Sequence, residues 1–367
     1  MGHEDGLSAQ AKAWIGAPCQ ASGVGLAAWF VAIITLAGGG QARAQAPTPL
    51  PTYSAEVEVR RVVADVRVVD SKGQPIRGLG PGSFRLLVDG APANLDSVEW
   101  VEGSEAYSEG LTPEQASVAG AAPAPRGRLL VFFFQAGFES VRLTGHMRMK
   151  SRAIKVLDDL KPDDQVAVVS YDSHLKLRVD FTTDRARVKR AIHDAILSGK
   201  VKPLPAHPFP SLAAFLDFQA AKDAASPEKG LLVLARALKE LPGNKSVMFF
   251  GWGLGYLFGQ RVSMGADYAR ARYELMTGRV SVYAIDVTDA DYHTLEVGLE
   301  QVAEDTGGFY IKTNNFPDQA VMRIEGAIAG HYVLVFAGPS RKHGEHTLAI
   351  ELVGVKGQVL GKFAFQD

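Results

Sequence analysis

A chain of 367 residues is too long for one small domain, and a prior of about 150 residues per domain predicts two or three. Its 47% hydrophobic and 22% charged residues are the balance of a globular protein and exclude a disordered tail or a polytopic membrane protein. Lys and Arg number 39 against 40 Asp and Glu, so there is no overall basic field to hold a phosphate backbone, and nucleic acid is not an expected partner.

At the N-terminus, Lys12 precedes an apolar run over 24–37, Gly38-Gly39-Gly40 follows, and Ala42-Arg43-Ala44 supplies a small-x-small cleavage pattern. A signal peptide over 1–44 is predicted, cut after Ala44, because a cut after Ala46 would place Pro47 beside it. The alternative is an uncleaved anchor, although the run is short against the roughly 20 residues a span needs. Cys19, the only cysteine, lies in this segment, so the mature chain is expected without thiols. A secreted or periplasmic protein follows, touching a membrane only if the segment stays uncleaved.

Residues 55–101 read as a small β module. Val57 and Val59 alternate with charged neighbours, as do Ala64, Val66 and Val68 with Asp65 and Arg67, the pattern of half-buried strands. Asp70-Ser71-Lys72-Gly73 and Asp89-Gly90 are turn sequences, and Pro81-Gly82-Ser83-Phe84 predicts a tight turn that inserts Phe84 beneath the sheet. Residues 102–126, small and Pro-rich, read as a linker. From 127 to 338 short apolar strands alternate with amphipathic helices, the pattern of a largely parallel sheet covered on both faces. The strands are predicted at 129–134, 166–171, 175–181, 246–250, 280–287, 309–312 and 332–336. Helical periodicity runs through Ala153, Leu157 and Leu160, then Val188, Ile192 and Ile196, Leu231, Leu234 and Leu238, Leu295, Leu299 and Val302, and Val321, Ile324 and Ile328. Tyr171-Asp172-Ser173-His174 is too short for a crossover, so its two strands must be antiparallel. The Pro-rich stretch 198–226 is either a surface excursion or holds a short helix near 212–221. Residues 339–367 return to β alternation and are expected to join the N-terminal module.

The fold class expected is therefore a doubly wound, Rossmann-like α/β sheet, mostly parallel with one antiparallel edge strand, beside a small β module. This order of elements resembles the von Willebrand factor A-type fold, and most closely the exported VWFA-related family described from acidobacteria. The resemblance is carried by ADVRVVDSKGQPIRGLGPGSFRLLVDG at 64–90, which is similar to that family's V-D-V-x-V-x-D-x-x-G-x-P leader. It is carried also by QVAVVSYDSHLKLRVDFTTDRARVKRAI at 165–192, similar to its hairpin and second helix. The resemblance implies secretion and partner binding without an assigned chemistry.

It also implies a metal position, with D-x-S-x-S after the first strand, a Thr from a later loop and an Asp after the fourth strand, all hard oxygens suited to Mg²⁺. Here Gln135, Gly137 and Glu139 stand at the first set, and Gly251-Trp252-Gly253 stands where the Asp is expected. Ser211 is the nearest hydroxyl to the Thr position. The site is read as degenerate and metal-free, with Glu139, or Asp286 and Asp289, the candidates for rescuing it. Asp286, Asp289 and Asp291 otherwise read as solvated loop carboxylates.

Glycines 251, 253, 255 and 259 lack the spacing of a dinucleotide fingerprint and predict a flexible loop with close backbone approach. His343 and His346 sit in a predicted turn rather than on one helix face, Ser140 and Ser170 are isolated, and no G-x-S-x-G occurs. No cofactor is expected. The function predicted is a non-enzymatic protein-interaction protein serving adhesion or envelope assembly, its partner a protein contacted by Phe138, Trp252, Tyr256 and Phe258 above the first and fourth strands. The alternative is a hydrolase or nucleotide-binding enzyme on the same doubly wound sheet.

Overall fold

The structure is a computed structural model that describes residues 61–102, 127–137, 143–197, 200–201, 203–204, 209–314, 317–339, 344–362 and 364–366. The signal peptide with its cut at Ala44, nearly all of the linker, Phe138, Glu139, Ser140 and His343 lie outside them. No helix among the described residues is long and apolar enough to cross a membrane.

The central sheet is built from β5 (Leu129–Gln135), β6 (Gln165–Tyr171), β7 (Leu175–Thr182), β8 (Lys245–Gly251), β11 (Val280–Asp286) and β12 (Tyr310–Lys312). Its spatial order is β12-β11-β8-β5-β6-β7, parallel throughout except for the β6–β7 pair. This is the doubly wound sheet with one antiparallel edge strand that the alternation predicts.

The unbroken apolar run of β5 has a direct cause. Val131 and Phe133 enter a core with Leu231, Leu234 and Leu275, while Leu130, Phe132 and Phe134 enter the opposite one with Met149, Val156 and Ile192. Helices supply those covers: α1 (Leu143–Asp158), α2 (Arg185–Ile196), α3 (Phe218–Lys222), α4 (Pro227–Lys239), α5 (Gly265–Thr277), α6 (Glu296–Asp305) and α7 (Pro317–Ile328). The starts of α2 and α4 follow capping chemistry: Asp184 and Ser226 accept the N–H groups of Arg187 and Lys229, and Pro227 opens α4 where no N–H is needed. The Pro-rich stretch thus holds a short helix, α3.

The remaining strands form two antiparallel four-stranded sheets around one shared core. The first runs β15-β1-β13-β4, with β1 Arg61–Val69, β4 Leu95–Val101, β13 His331–Ala337 and β15 Gln358–Gly361. The second runs β16-β14-β2-β3, with β2 Phe84–Val88, β3 Ala91–Ala93, β14 Glu345–Leu352 and β16 Ala364–Gln366. Val66, Val68, Phe84, Leu86, Tyr332, Leu334, Leu348 and Ile350 fill the space between them. N- and C-terminal segments therefore pair directly, β1 with β15 and β2 with β14. Phe84, just after the 3-10 turn Pro81–Ser83, is buried in this core.

Two expectations are corrected here. The strand read at 332–336 as part of the parallel series pairs instead with β1 and β4 in the sandwich. And from Ala64 onward β1 is not half-buried: Asp65 and Arg67 are buried like Val66 and Val68 beside them. Their face of β1 abuts the α/β layer, where Arg67 donates from Nε to Ala327 O (2.9 Å), from Nη1 to Ser281 Oγ (2.9 Å) and from Nη2 to Asn244 Oδ1 (2.8 Å). Asp65 accepts from Arg279 (2.9 and 2.6 Å) and Asn244 (3.0 Å). Burial pushes the Asp65 carboxyl up, but the charge and hydrogen bonds of Arg279, with His331 beside it, outweigh this and hold it well below the usual carboxylate range.

Candidate functional site

The chain leaves β5 in one direction for β6 and β7 and in the other for β8, β11 and β12, so the connections reverse between β5 and β8. A crevice at the carboxyl ends of these strands is where doubly wound sheets place ligands. The residues there are Gln135, Gly251 and, one strand further, Asp286.

Gln135 is 1% exposed, and its amide is committed to the opposite loop. Oε1 accepts from Trp252 N (2.9 Å) and Gly253 N (3.2 Å), while Nε2 donates to Gly253 O (2.7 Å). The neutral side chain thus ties the first strand end to the fourth through backbone groups. A β-carbon at Gly251 would stand 2.7 Å from Gln135 Oε1 and closer still to the Phe249 ring, so this backbone has no room for an acid there while Gln135 holds its place. Gly137 donates its N–H to His146 Nε2 at 3.2 Å. Ser211, two strands away, donates to Asp180 Oδ2 on β7 at 2.6 Å.

Beyond Gly253 the glycine run is ordered as a hairpin, which corrects the expectation of a flexible loop. β9 (Tyr256–Phe258) pairs antiparallel with β10 (Arg261–Ser263). Gly259 supplies the positive φ, 62°, that a two-residue connection with glycine first requires. The hairpin's base is held by Glu228, whose Oε1 accepts the Gly255 N–H at 2.6 Å, and by Leu254 N donating to Leu295 O at 3.3 Å. Tyr256, Leu257 and Phe258 are exposed, at 55, 58 and 77%. Trp252 is half-buried at the foot of the hairpin. Of the four predicted contact residues, then, two stand free on the hairpin, one lies beneath it, and Phe138 is outside the described residues.

The acidic residues after β11 do not behave alike. Asp289 and Asp291 are exposed, the first paired with Arg148. Asp286 is fully buried, which corrects its reading as a solvated loop carboxylate. Its Oδ1 accepts from Thr288 N (2.9 Å), and its Oδ2 meets His293 Nε2 (2.8 Å) and Tyr310 OH (2.7 Å). Glu296 lies alongside, with Oε2 2.5 Å from Lys312 Nζ and 3.5 Å from Tyr310 OH. Burial, the bond to Asp286 and the charges of Asp286 and Glu296 push the Tyr310 phenol above its ordinary range. Sequence reading passed over His293 and Glu296. The available signal was H-x-x-E leading into α6, with Asp286 seven positions earlier.

The other sequence candidates have structural partners. His346 is buried in β14, 2.7 Å from Asp89 Oδ2 and stacked on Phe365, and Ser170 accepts from Arg178 Nε at 2.7 Å.

No family profile matches the sequence, and no curated protein matches it significantly. Solved structures similar to it include a von Willebrand factor type A protein from Catenulispora acidiphila, at 11% identity over 85% of this chain and 74% of that one, TM-score 0.39. Proximal thread matrix protein 1 from the mussel byssus is 15% identical over 55% of this chain and 48% of that one, TM-score 0.37, so the chain spans about half that protein's length. BatB from Bacteroides thetaiotaomicron is 14% identical over 54% of this chain and 96% of that one, TM-score 0.34. The fold assignment itself rests on strand order and direction: central β5, β8 beside it, and antiparallel β7 at the edge, the arrangement implied by the A-type resemblance.

Proposed function

We propose that this chain is an exported, non-enzymatic interaction protein that binds a protein partner by direct side-chain contact at the carboxyl edge of its sheet, without Mg²⁺ at the A-type position. The observation that carries the reading is the run Tyr256-Leu257-Phe258, three consecutive exposed apolar side chains on an ordered hairpin. Scattered exposed apolar residues need no explanation, whereas Tyr256 and Phe258 on one face of a strand, with Leu257 on the other, have the composition of an interface anchor. The neutral Gln135, bonded on both its polar atoms to the backbone of residues 252 and 253, favours contact without a bridging ion, since Mg²⁺ sheds water reluctantly and usually needs carboxylates to do so.

The test is photocrosslinking from position 257 of the tag-free chain in envelope extract of its source organism, compared with a Tyr256→Ser/Phe258→Ser double variant. Those side chains are exposed, so stability should change by less than about 0.5 kcal/mol. Crosslinking to a discrete partner should fall at least tenfold and be indifferent to Mg²⁺. Equal crosslinking by the variant at unchanged thermal midpoint would remove the hairpin from the interface.

A further inference from the structure

Asp286 and Glu296 are both buried at the edge of the sheet, and His293 stands between them with part of its ring open to solvent. His293 Nε2 lies 2.8 Å from Asp286 Oδ2 and 4.0 Å from Glu296 Oε2. The three donor atoms lie within 4.8 Å of one another, and among the described residues they are the group so arranged. An ion bound at about 2.0–2.2 Å from each donor spans donor pairs up to about 4.4 Å apart. Both His293 pairs fall within that span, so the cluster closes on one ion once the two carboxylates also come within it.

Glu296 already has a cationic partner at this spot. The Lys312 ammonium already sits 2.5 Å from Glu296 Oε2, and the same group reaches the Asp291 carbonyl and lies 6.0 Å from the Tyr292 ring centroid. Lys312 therefore has partners other than Glu296. Arg148, the nearby guanidinium, is engaged with the Thr288 carbonyl and Asp289, so the close partners of Asp286 are an imidazole, a phenol and one amide. Two buried carboxylates share the pocket with one ammonium.

We propose that Asp286, His293 and Glu296 bind a divalent transition ion of the zinc type, with Lys312 as a built-in competitor that occupies Glu296 when the ion is away. One imidazole and two carboxylates make a mixed nitrogen and oxygen set, suited to Zn²⁺ and unlike the all-oxygen sets that hold Mg²⁺ or Ca²⁺. The His293 side chain is 19% exposed, so the cluster is within reach of solvent. The position is two strands away from Gln135, with β8 between, so it is distinct from the A-type metal position and does not depend on the reading of the hairpin as an interface. It is linked to the hairpin's base all the same: Leu295, between His293 and Glu296, accepts the Leu254 N–H, so a bound ion would stiffen that base.

The experiment is calorimetric titration of the metal-stripped, tag-free chain with ZnCl₂, with MgCl₂ and CaCl₂ as separate arms and bound metal counted by mass spectrometry. One Zn²⁺ per chain is expected, with neither Mg²⁺ nor Ca²⁺ competing at tenfold excess. His293→Ala and the near-isosteric Glu296→Gln should each weaken binding by about 100-fold or more, with far-ultraviolet dichroism confirming that at least one of the two is folded. Lys312→Met should tighten binding by about tenfold, the loss of an exposed-side ion pair of roughly 1 kcal/mol or more in competition. That gain separates a metal site from a polar network, in which removing Lys312 confers no affinity for any ion. No saturable Zn²⁺ binding by either the parent chain or Lys312→Met overturns the proposal, as does binding unchanged in a folded His293→Ala or Glu296→Gln. Binding abolished instead by Glu139→Ala places the ion at the first strand's loop and overturns both this assignment and the metal-free reading of that position, while a failure of Zn²⁺ binding alone leaves the hairpin reading standing.

Discussion

Replacing Gln135 isolates what the neutral amide does between the first and fourth strand ends. Gln135→Met keeps the length and volume of the side chain but removes three hydrogen bonds, to Trp252 N, Gly253 N and Gly253 O. A buried backbone group that loses its partner costs about 1–3 kcal/mol, and partial hydration lowers the sum, so a loss of about 2–4 kcal/mol is expected. Gln135→Ala adds a cavity and should cost about 1–2 kcal/mol more. Gln135→Glu keeps two acceptor contacts but sets a carboxylate against Gly253 O in a site 1% exposed, so it should be at least as damaging as Met at neutral pH. Urea unfolding monitored by fluorescence gives these values if the m-value is constant across the series. Hydrogen exchange at the amides of residues 252–258 supplies the local readout, with protection falling in all three variants. A Gln135→Met loss below about 0.5 kcal/mol with unchanged exchange there would refute the idea that this amide anchors the hairpin.

Asp65→Ala leaves Arg279 and Asn244 facing an emptied, buried position and should cost about 3–5 kcal/mol by thermal or urea unfolding; a loss below about 1 kcal/mol would mean the network between sandwich and α/β layer is dispensable. Because Asp65 is held well below its ordinary range in the folded chain, its contribution is present above pH of about 4 and is lost as pH falls through the lower folded value, so the parent chain should lose stability on acidification more steeply than Asp65→Asn. Lys245 is pushed down to about 7 by burial and by the charges of Arg279 and Lys362, so between pH of about 7 and 10 the unfolded chain binds the extra proton. Stability should therefore rise with pH there by up to about 1.4 kcal/mol per unit, and the slope should flatten in Lys245→Met.

The central sheet was legible because strands covered on both faces are written as unbroken apolar runs, as in Leu129–Gln135 and Val280–Asp286, and because three residues between Tyr171 and Leu175 allow only an antiparallel step. Periodicity tells that a face is covered but not by what. Tyr332 to Phe336 has the same apolar character as β5, yet it serves the sandwich, and the charged alternation of β1 suggested water where Arg279 and Asn244 are waiting. Helix α5 went unread because its covered face is only Tyr268, Ala271 and Leu275 among thirteen residues. The hairpin was hidden by glycine, which signals permissiveness and leaves the chosen conformation open. His293 and Glu296 were missed since their meeting with Asp286 depends on the loop of 287–295 folding back across the strand end.

That fold-back also explains how the two halves of the site are joined. Val287 N donates to Gly251 O and Leu254 N to Leu295 O, so the strand end that carries Asp286 and the loop that carries the hairpin share backbone bonds on either side of the Trp252-Gly253 backbone that Gln135 holds. A β-carbon at Gly253 would meet Leu295, and one at Gly298 would press on the Leu254 carbonyl, which leaves the two loops no slack to move apart independently. An acid at Gly251 is incompatible with this close packing, whereas Asp286 lies outside it, its carboxyl oxygens held by His293, the Tyr310 hydroxyl and the Thr288 N–H. The neutral amide and the Asp286 cluster are then parts of one arrangement: Gln135 bonds the end of β5 to the backbone at the foot of the hairpin, and the charged side chains gather at the end of β11.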